Sequence, residues 1–409
     1  MLEKSEVDIL QSLGYKYMKY ASSQKEKIEL WKALNRGSMK RPMVVIDQLP
    51  WNELNVDNKL TCKINDPFWG SVENQLRMDL YKIENFAVDM VLDPFISIPK
   101  SITSTGIGIN AQVEYLGEEG TDVFSKHYTN QITTIEDVEK ITDNIITHNE
   151  KMTKQHLEEA NYIFDGIADV RSVGVSSYLG VWDTLSSLMG VENIYMYLYD
   201  QPELLHAAVG RITDATIAGI KNANRLKIHN DIVNTCHCSY IYSDELLPDS
   251  GVSLGSESKN CWSFGLAQLF TSVSPATFCE FELPYIIKMA EHFGGIYYGC
   301  CDRLDNKLDL IKKIPNLRKV SCSPWSERKV FAENIGVELV MSNKPTPAYL
   351  ATESFDESII RKDLKYTCEL AKANNVNLEF ILKDISTVKK QPERLRRWAE
   401  IAMEVVENF

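Results

Sequence analysis

The stretch that decides the fold lies at residues 293–302 and reads FGGIYYGCCD. Its first half is a short apolar run beginning with two glycines, which is typical of a buried strand. Its second half places two cysteines and an aspartate directly after that strand. In barrels of parallel strands, the residues that follow the carboxyl ends of the strands form the active site. The stretch therefore predicts a buried parallel strand that ends at a chemically active rim.

Short apolar strands of this kind alternate along the chain with segments of helical length. We predict strands at 42–47, 87–92, 173–176, 231–235, 295–298, 319–322, 337–341 and 377–382, and helices at 71–85, 202–226, 282–293, 356–373 and 392–408. Such repeats are typical of parallel βα units. The predicted fold is α/β, a (β/α)8 TIM barrel with an N-terminal helical extension. An open doubly wound sheet is the alternative, but Gly106 and Gly108 lack the third glycine and the following helix of a phosphate-binding turn.

The helical extension precedes the barrel without a linker. Residues 4–36 carry apolar stripes with helical periodicity, and the strand at 42–47 follows them. We interpret residues 1–80 as an N-terminal helical cap with the first strand, and residues 81–409 as the barrel. The two parts together are expected to form one structural domain.

Composition narrows the class of protein. The chain of 409 residues has 44 basic and 57 acidic side chains and a formal net charge of −13, which repels phosphate backbones and anionic membranes. The sequence contains no apolar run long enough for a membrane helix, and its start is too polar for a signal peptide. We therefore expect a cytoplasmic protein without a nucleic-acid or membrane partner, whose nine cysteines are free thiols. The oligomeric state stays open, with a homodimer as one option.

Thiols and an imidazole collect after several predicted strands. His237 follows the strand at 231–235 between two cysteines, and Cys300 and Cys301 follow the strand at 295–298. Because Zn²⁺ binds sulfur and nitrogen in a tetrahedron and keeps one position open in catalytic sites, this set predicts a zinc site. Each cysteine alone has the alternative of being a small buried apolar residue. Since neighbouring side chains of a strand diverge, we expect only one of Cys300 and Cys301 to reach the ion.

Residues 273–285, VSPATFCEFELPY, together with 293–302, resemble the "SPxxFxEFxLPY … HxCG" segment of the uroporphyrinogen decarboxylase superfamily. Glu282 in this segment opens the helix at 282–293, where the helix dipole favours a carboxylate in solvent. The resemblance covers most of the chain and implies a (β/α)8 barrel. Its further parts are 41–44 (RPMV), 50–53 (PWNE), 314–318 (IPNLR), 321–325 (SCSPW) and 344–345 (KP).

Within that superfamily, the decarboxylase holds the acidic arms of its substrate with an arginine-rich turn near its start. The corresponding residues 45–50 read VIDQLP and contain no arginine. The chain is more similar to the corrinoid-dependent methyltransferases, some of which move methyl groups to coenzyme M while others demethylate aryl methyl ethers in anaerobes. The resemblance thus implies a methyltransferase of the O-demethylase type.

The resemblance also implies a set of zinc ligands. The coenzyme M branch uses a His-x-Cys motif, whose cysteine matches Cys301 while its histidine position is Gly299. The O-demethylase branch has Glu-x20-His and Cys-x39-Cys spacings, which are similar to Glu280 with Cys301 and to Cys261 with Cys301. The implied ligands are therefore Cys301, Glu280 and Cys261, with His237 in competition.

The function that follows is zinc-dependent transfer of a methyl group from a small methylated substrate to the cobalt(I) corrinoid, a cobalamin, of a partner protein. The substrate is expected to be a methyl ether, aromatic or not, or a methylamine. Zinc on the leaving oxygen would stabilise its charge as a Lewis acid. We expect His237 and Asp302 to be catalytic. The residues expected to line the substrate pocket are Tyr240, Trp262, Tyr297 and Tyr298.

Other functions stay open beside this one. The same barrel could move a methyl group from a methylcorrinoid to a thiol or a folate. From another class, a metal-free lyase similar to uroporphyrinogen decarboxylase could act on a small carboxylic acid, with Asp93, Asp302 or His237 as acid or base. A regulatory relative that binds a corrinoid without catalysis is the third option, and Gly299 at the histidine position favours it.

Overall fold

The structure, a computed structural model, describes residues 2–116, 125–230, 234–246 and 256–409. Residues 231–233 of the predicted strand at 231–235 lie outside the described residues. Within the described part of the chain, no helix is long and apolar enough to cross a membrane.

Helices form where the sequence periodicity predicted them. The segment at 4–36 is two helices, and the first begins at a capping box in which the Glu3 amide donates to the Glu6 carboxylate at 2.9 Å. The five later helix predictions are confirmed with shifts of a few residues at their ends, because each has an apolar face that is buried. The helices are α1 (Lys4–Ala21), α2 (Lys25–Asn35), α3 (Trp51–Leu54), α4 (Pro67–Asn85), α5 (Ile135–Val138), α6 (Glu150–Ile163), α7 (Val181–Met189), α8 (Val191–Asp200), α9 (Pro202–Leu226), α10 (Pro275–Phe281), α11 (Leu283–Ala290), α12 (Leu308–Ile311), α13 (Arg328–Asn334), α14 (Ala348–Ala351), α15 (Glu357–Ala373) and α16 (Glu393–Glu407).

The strands of the described residues form one large sheet and several small ones. They are β1 (Met43–Ile46), β2 (Ile96–Pro99), β3 (Ile102–Ser104), β4 (Val113–Leu116), β5 (Ser125–Tyr128), β6 (Ile146–His148), β7 (Val170–Val173), β8 (Tyr178–Leu179), β9 (Thr235–Cys236), β10 (Ser239–Tyr240), β11 (Trp262–Gly265), β12 (Gly295–Tyr298), β13 (Leu317–Cys322), β14 (Val340–Asn343) and β15 (Asn377–Leu382).

The large sheet has seven parallel strands in the order β1-β15-β14-β13-β12-β11-β8. Val45 lies beside Ile381, and Met341 lies beside Leu378. Because all seven strands run the same way, their carboxyl ends lie at one edge, where the loops collect. This parallel α/β arrangement is the one that the sequence predicted.

The closed eight-stranded barrel is not confirmed. Within the described residues, the outer strands β1 and β8 of the large sheet are not paired with each other. The parallel pair β2–β7 stands apart from the large sheet, and the pairs β3–β6, β4–β5 and β9–β10 are antiparallel. The confirmed architecture is a mixed α/β fold with a seven-stranded parallel sheet.

Two predicted strands do not form as expected. Residues 87–92 are irregular, because the Asp89 carboxylate takes the Val44 amide at 2.9 Å, a hydrogen bond that a neighbouring strand would otherwise accept. The strand predicted at 173–176 overlaps β7 only at Val173, and Val175 forms an isolated parallel bridge with His229. The strand β11 was not predicted at all. The strands at 295–298 and 377–382 are confirmed at the predicted residues.

A buried polar network joins several strands. Lys319 of β13 and Glu379 of β15 form an ion pair at 2.7 Å with both side chains fully buried. Lys319 also donates to the Ser239 hydroxyl of β10 at 2.7 Å. Buried charges need partners of this kind. The network therefore fixes the β9–β10 hairpin, which carries His237, against the large sheet.

Candidate metal centre

Three side chains meet at the carboxyl ends of β12 and β15. The Cys301 thiol donates to Oδ2 of Asp384 at 3.2 Å, and the Sγ atoms of Cys300 and Cys301 are 3.6 Å apart. One ligand atom of each residue lies within 4.8 Å of the others, and the described residues contain no other group of three histidine, cysteine or acidic side chains this close. Cys300 is buried while Asp384 is exposed, so the group extends from the interior to the surface.

His237 of the β9–β10 hairpin adds an imidazole to this group. Its Nε2 atom is 3.6 Å from the Sγ atom of Cys300. The ring stacks on Phe264 of β11 with a centroid distance of 4.0 Å and an interplanar angle of 7°. The φ angle of His237 is 54°, a left-handed conformation that is uncommon outside glycine and often found at functional sites. We call His237, Cys300, Cys301 and Asp384 the thiol cluster.

Two distances from the Cys300 Sγ atom match those of a tetrahedral zinc site. Zn–S bonds of about 2.3 Å and Zn–N bonds of about 2.0 Å place two sulfur ligands about 3.8 Å apart, and a sulfur and a nitrogen ligand about 3.5 Å apart. The Cys300–Cys301 and Cys300–His237 separations are both 3.6 Å. Two thiols, an imidazole and a carboxylate are also the ligand types that zinc accepts. Cys300, Cys301 and Asp384 therefore offer a ligand set that zinc accepts, whereas His237 lies beside Cys300 but outside their group of close ligand atoms and would have to approach Cys301 and Asp384 to bind the same ion.

A lysine ammonium group lies among the same atoms. Nζ of Lys383 is 2.8 Å from Sγ of Cys300, 2.9 Å from Oδ2 of Asp384 and 3.8 Å from Sγ of Cys301. The Lys383 side chain is almost fully buried, so its charge requires anionic neighbours. Lys383 thus stabilises the thiolate and carboxylate forms that a metal ion also requires.

Its neighbours distinguish the Cys300 thiol from other buried thiols. The adjacent Cys301 thiol, 3.6 Å away, lowers the pKa of Cys300 most, and His237 and Lys383 lower it further against the opposing effect of burial. A thiolate is the form that binds metals and attacks carbon. Burial alone dominates elsewhere and raises the pKa to about 12 for Cys236, Cys238 and Cys322.

The turn at Gly299 brings both thiols to the same site. Its φ angle is 90°, and a Cβ atom there would lie 2.4 Å from the Cδ1 atom of Leu304, so the turn requires glycine. The Cys300 amide donates to Oδ1 of Asp302 at 2.8 Å and closes the turn. The expectation that only one of Cys300 and Cys301 faces the site is wrong, because the turn ends the alternation of the strand. The same crowding excludes the histidine of a His-x-Cys motif.

Two of the implied ligands lie away from the thiol cluster. Glu280 on α10 has its Oε1 atom 3.7 Å from Nε2 of His206 on α9, in the helix layer. Cys261 directly precedes β11, at the amino end of that strand, and its thiol lies 3.6 Å from the Glu257 carbonyl oxygen. Because the thiol cluster lies at the carboxyl ends, neither residue joins Cys301 in the group of close ligand atoms.

The predicted aromatic residues divide between the two sides of the sheet. Tyr297 is fully buried on the side of the thiol cluster, with its ring centroid 6.1 Å from that of His237, and packs with Trp262. Tyr298 points the opposite way, as strand alternation requires, and donates to Glu282 at 2.9 Å. Glu282 is fully buried there. The expectation that Glu282 lies in solvent is therefore wrong, since it turns inward at the junction of α10 and α11.

A cavity of about 570 Å³ lies beside the thiol cluster, a size within the range of ligand pockets. Its wall includes the end of β1, one side of α4, the loop before β2 and the β9–β10 hairpin, with His237 at one end. Tyr240, a predicted pocket residue, lines it and donates to the Val91 carbonyl at 3.0 Å. Asp93, a candidate acid or base, also lines it. Asp302 is buried in the turn at Gly299 instead, and its catalytic role stays a prediction.

Sequence reasoning missed Lys383 and Asp384. Both follow β15, which ends at Leu382, so the strand-end rule that selected Cys300 would also have selected them. Asp384 has a φ angle of 56°, which turns its side chain back towards the strand ends. This left-handed backbone conformation of Asp384 depends on the tertiary structure, and the amino-acid sequence around it does not predict it.

Comparisons with known proteins bear on the fold. No protein-family model matches the chain, and no curated protein matches it. Among solved structures, the chain is similar to a methyltransferase from Methanosarcina mazei, with 15% sequence identity, a TM-score of 0.51, and coverage of 91% of this chain and 97% of that chain. At this identity the likeness shows the fold alone, and it includes nearly the whole of both chains.

Proposed function

We propose that the chain is a zinc-dependent methyltransferase of the O-demethylase type, which moves a methyl group from a methyl ether or a methylamine to the cobalt(I) corrinoid of a partner protein. The observation that carries the proposal is the thiol cluster at the carboxyl ends of parallel strands, where the Sγ atom of Cys300 lies 3.6 Å from both the Sγ atom of Cys301 and the Nε2 atom of His237, close to the separations in tetrahedral zinc sites. The fold similarity to a solved methyltransferase supports the same reaction class.

Four side chains are available to the ion, but a catalytic zinc site keeps one position for the substrate. Cys300, Cys301 and His237 come from the buried side of the site, whereas the Asp384 side chain is 48% exposed. Asp384 is therefore the ligand that a substrate atom would replace. Lys383, 2.9 Å from its Oδ2 atom, would hold the released carboxylate.

Bound zinc would act as a Lewis acid on the electron pair that develops on the leaving oxygen or nitrogen. The protein supplies position: Phe264 fixes the plane of the His237 ring, and the Gly299 turn fixes both thiols. The adjacent cavity holds the methylated substrate next to His237. Placing the reacting groups in this way lowers the barrier by removing translational freedom.

We also propose that the sheet closes as a (β/α)8 barrel through the segments between β1 and β8. The Asp89 amide donates to the Val44 carbonyl of β1 at 2.9 Å, β2 pairs with β7, and Val175 bridges to His229. These contacts follow one another across the gap between the two outer strands. They support a barrel that is closed between β1 and β8 by short, irregular backbone pairings and not by long strands.

The position of Lys383 favours a second candidate, a metal-free lyase. Its ammonium group already pairs with Cys300 and Asp384, so it offsets part of the negative charge of the cluster without an ion. A lysine at this place could also bind the carboxylate of a small acid. Bound zinc separates this candidate from the methyltransferase.

Methyl transfer itself is the test of the proposed function. The zinc-loaded chain is mixed with reduced cob(I)alamin as acceptor and with a methoxylated aromatic compound or a methylamine, and the loss of cobalt(I) absorbance is followed. We expect transfer by the wild-type chain and by Cys62→Ala, an exposed thiol outside the cluster, and a loss of about a hundredfold or more in His237→Ala. Transfer that is equal in all three proteins, or no transfer from either class, contradicts the proposal. Methylcobalamin with a thiol acceptor then tests the reverse direction.

A further inference from the structure

We infer that the cavity beside the thiol cluster binds a methylated ammonium cation, that is, an amine with methyl groups on a positively charged nitrogen. The inference rests on the proposed function, because this cation would be the methyl donor of that reaction. It narrows the methyl donor from ethers and amines to one charged class. The charge, the aromatic wall and the size of the cavity each support it.

The wall of the cavity has an excess of carboxylates. Asp47, Asp79 and Asp93 line it, and Lys82 is the only lysine or arginine among the described residues that do so. The Lys82 ammonium group lies 2.9 Å from Oδ1 of Asp47, so these two charges cancel. Lys82 also acts electrostatically on Asp79, but one ammonium group cannot offset Asp79 and Asp93 as well as Asp47.

Neutral groups hold these two carboxylates in place. Asn234 at 2.7 Å and Tyr242 at 3.2 Å both donate to Oδ1 of Asp93, and Gln75 donates to Oδ2 of Asp79 at 3.0 Å. Amide and hydroxyl donors fix a carboxylate without cancelling its charge. Burial raises the pKa of Asp79 to about 6 and also raises that of Asp93. A cation in the cavity would therefore stabilise the ionised form of both groups.

Aromatic rings form another part of the wall. Tyr17, Phe95 and Tyr240 line the cavity. Aromatic faces are the recurring surroundings of bound quaternary ammonium groups. The guanidinium of Arg171, which does not line the cavity, lies 4.4 Å from the centroid of the Phe95 ring, so this ring already takes part in a cation–π contact. Arg171 also acts electrostatically on Asp93 and partly offsets its charge.

The size of the cavity selects within the class of ammonium cations. A volume of about 570 Å³ lies in the range of pockets for ligands much larger than methylamine. The ligand should therefore carry a further group on its nitrogen, as choline and larger quaternary amines do.

The location of His237 connects the cavity to the chemistry. His237 lines the cavity and lies 3.6 Å from Cys300, so a methylated nitrogen bound beside His237 would adjoin the thiol cluster. During transfer the C–N bond breaks, and its electron pair stays on nitrogen, which leaves as a neutral amine. The cobalt(I) corrinoid of the partner protein would supply the electron pair for the new bond to the methyl carbon as the C–N bond breaks.

Two ligands of the same shape test the inference. Choline and 3,3-dimethylbutan-1-ol differ by a charged nitrogen in place of a carbon, and their binding to the chelator-treated full chain is measured by calorimetry. We expect choline to bind about tenfold or more tightly than the neutral alcohol. Asp79→Asn and Asp93→Asn should each weaken choline binding by about threefold or more and leave the alcohol unchanged. Asp214 lies on α9 and is an exposed partner of Lys288. The control variant Asp214→Asn should alter neither affinity.

Equal affinity for the two ligands, or no choline binding by the folded wild-type chain, overturns the inference. The comparison of ligands on the wild-type chain decides the matter even if an aspartate variant fails to fold. Neither metal nor acceptor is present in this experiment, so a chain that binds choline but transfers no methyl group refutes only the proposed function. A chain that demethylates ethers yet does not distinguish the two ligands refutes only this inference.

Discussion

The Nζ atom of Lys383 lies 2.8 Å from the Sγ atom of Cys300. Lys383 follows β15 and Cys300 follows β12, and both strands end at the same edge of the large sheet. A buried ammonium group beside a buried thiol stabilises the thiolate, which is the form that zinc binds. The same ammonium group approaches the other members of the thiol cluster closely enough to compete with an ion. A zinc ion at the cluster, as proposed, would therefore have to compete with Lys383.

Replacing Lys383 with methionine should raise the pKa of the Cys300 thiol in the metal-free protein. The ammonium group is one of the groups that lower this pKa, and methionine retains the apolar stem without the charge. The absorbance of the thiolate near 240 nm should then appear at a pH about one unit higher or more. Lys389→Met, which removes an exposed partner of Glu353, serves as the control. A thiolate titration that is the same in all three proteins contradicts the assigned contact.

Replacing Gly299 with alanine should destabilise the fold by about 3 kcal/mol, from the left-handed φ angle and the overlap with Leu304 together. Gly166→Ala is the matched control, because Gly166 has a φ angle of 68° but open space around it. It should cost only about 1 kcal/mol. Urea unfolding gives both values. Equal losses of unfolding free energy in the two variants would contradict the predicted cost of the overlap with Leu304.

Removing one partner of the buried Lys319–Glu379 pair should be strongly destabilising. Lys319→Met leaves a fully buried carboxylate without the ammonium group at 2.7 Å, which costs about 3–5 kcal/mol. The double variant Lys319→Met with Glu379→Leu should recover part of this loss. Lys16→Met, at an exposed pair with Glu84, should cost less than about 1 kcal/mol. The free energy of unfolding measures all of these, and similar losses at both pairs would contradict the buried network.

Replacing Glu282 with glutamine should stabilise the protein increasingly as the pH rises. Burial raises the pKa of Glu282 well above 4.5, so the folded state holds a proton that the unfolded state releases. The contribution of Glu282 to the free energy of unfolding of the wild type is therefore fully present below about pH 4.5. It falls as the pH rises towards the folded pKa, by up to about 1.4 kcal/mol per pH unit. The two proteins should be closest in stability near pH 4 and separate above it. Parallel curves of unfolding free energy against pH contradict a buried, protonated Glu282.

Local patterns were sufficient for most of the long helices and for several strands. The segments at 202–226 and 377–382 were predicted at their observed residues because their apolar patterns are long and uninterrupted. The irregular segment at 87–92 was not, because the Asp89 carboxylate replaces a strand as the partner of Val44. A long-range hydrogen bond of this kind has no local signature.

The candidate site also depends on long-range contacts that the local sequence predicts only in part. Cys300, Cys301 and His237 were selected because they follow predicted strands, and the structure brings them together with Asp384. The implied ligand Glu280 was chosen by spacing along the chain, and it lies on a helix beside α9. Position relative to the strand ends was thus a better guide to the site than sequence separation, because a parallel sheet brings its carboxyl ends together whatever the lengths of the intervening helices.

The metal content of the purified chain tests the central claim most directly. Zinc is measured after expression with zinc and removal of loosely bound ions, in the wild type, in Cys300→Ala and Cys301→Ala, and in Cys62→Ala as the matched thiol control outside the cluster. The account predicts about one zinc ion per chain in the wild type and in Cys62→Ala, and little or none in the two cluster variants. A wild-type chain without zinc, or one whose zinc survives both cluster substitutions, would contradict a metal centre at the thiol cluster.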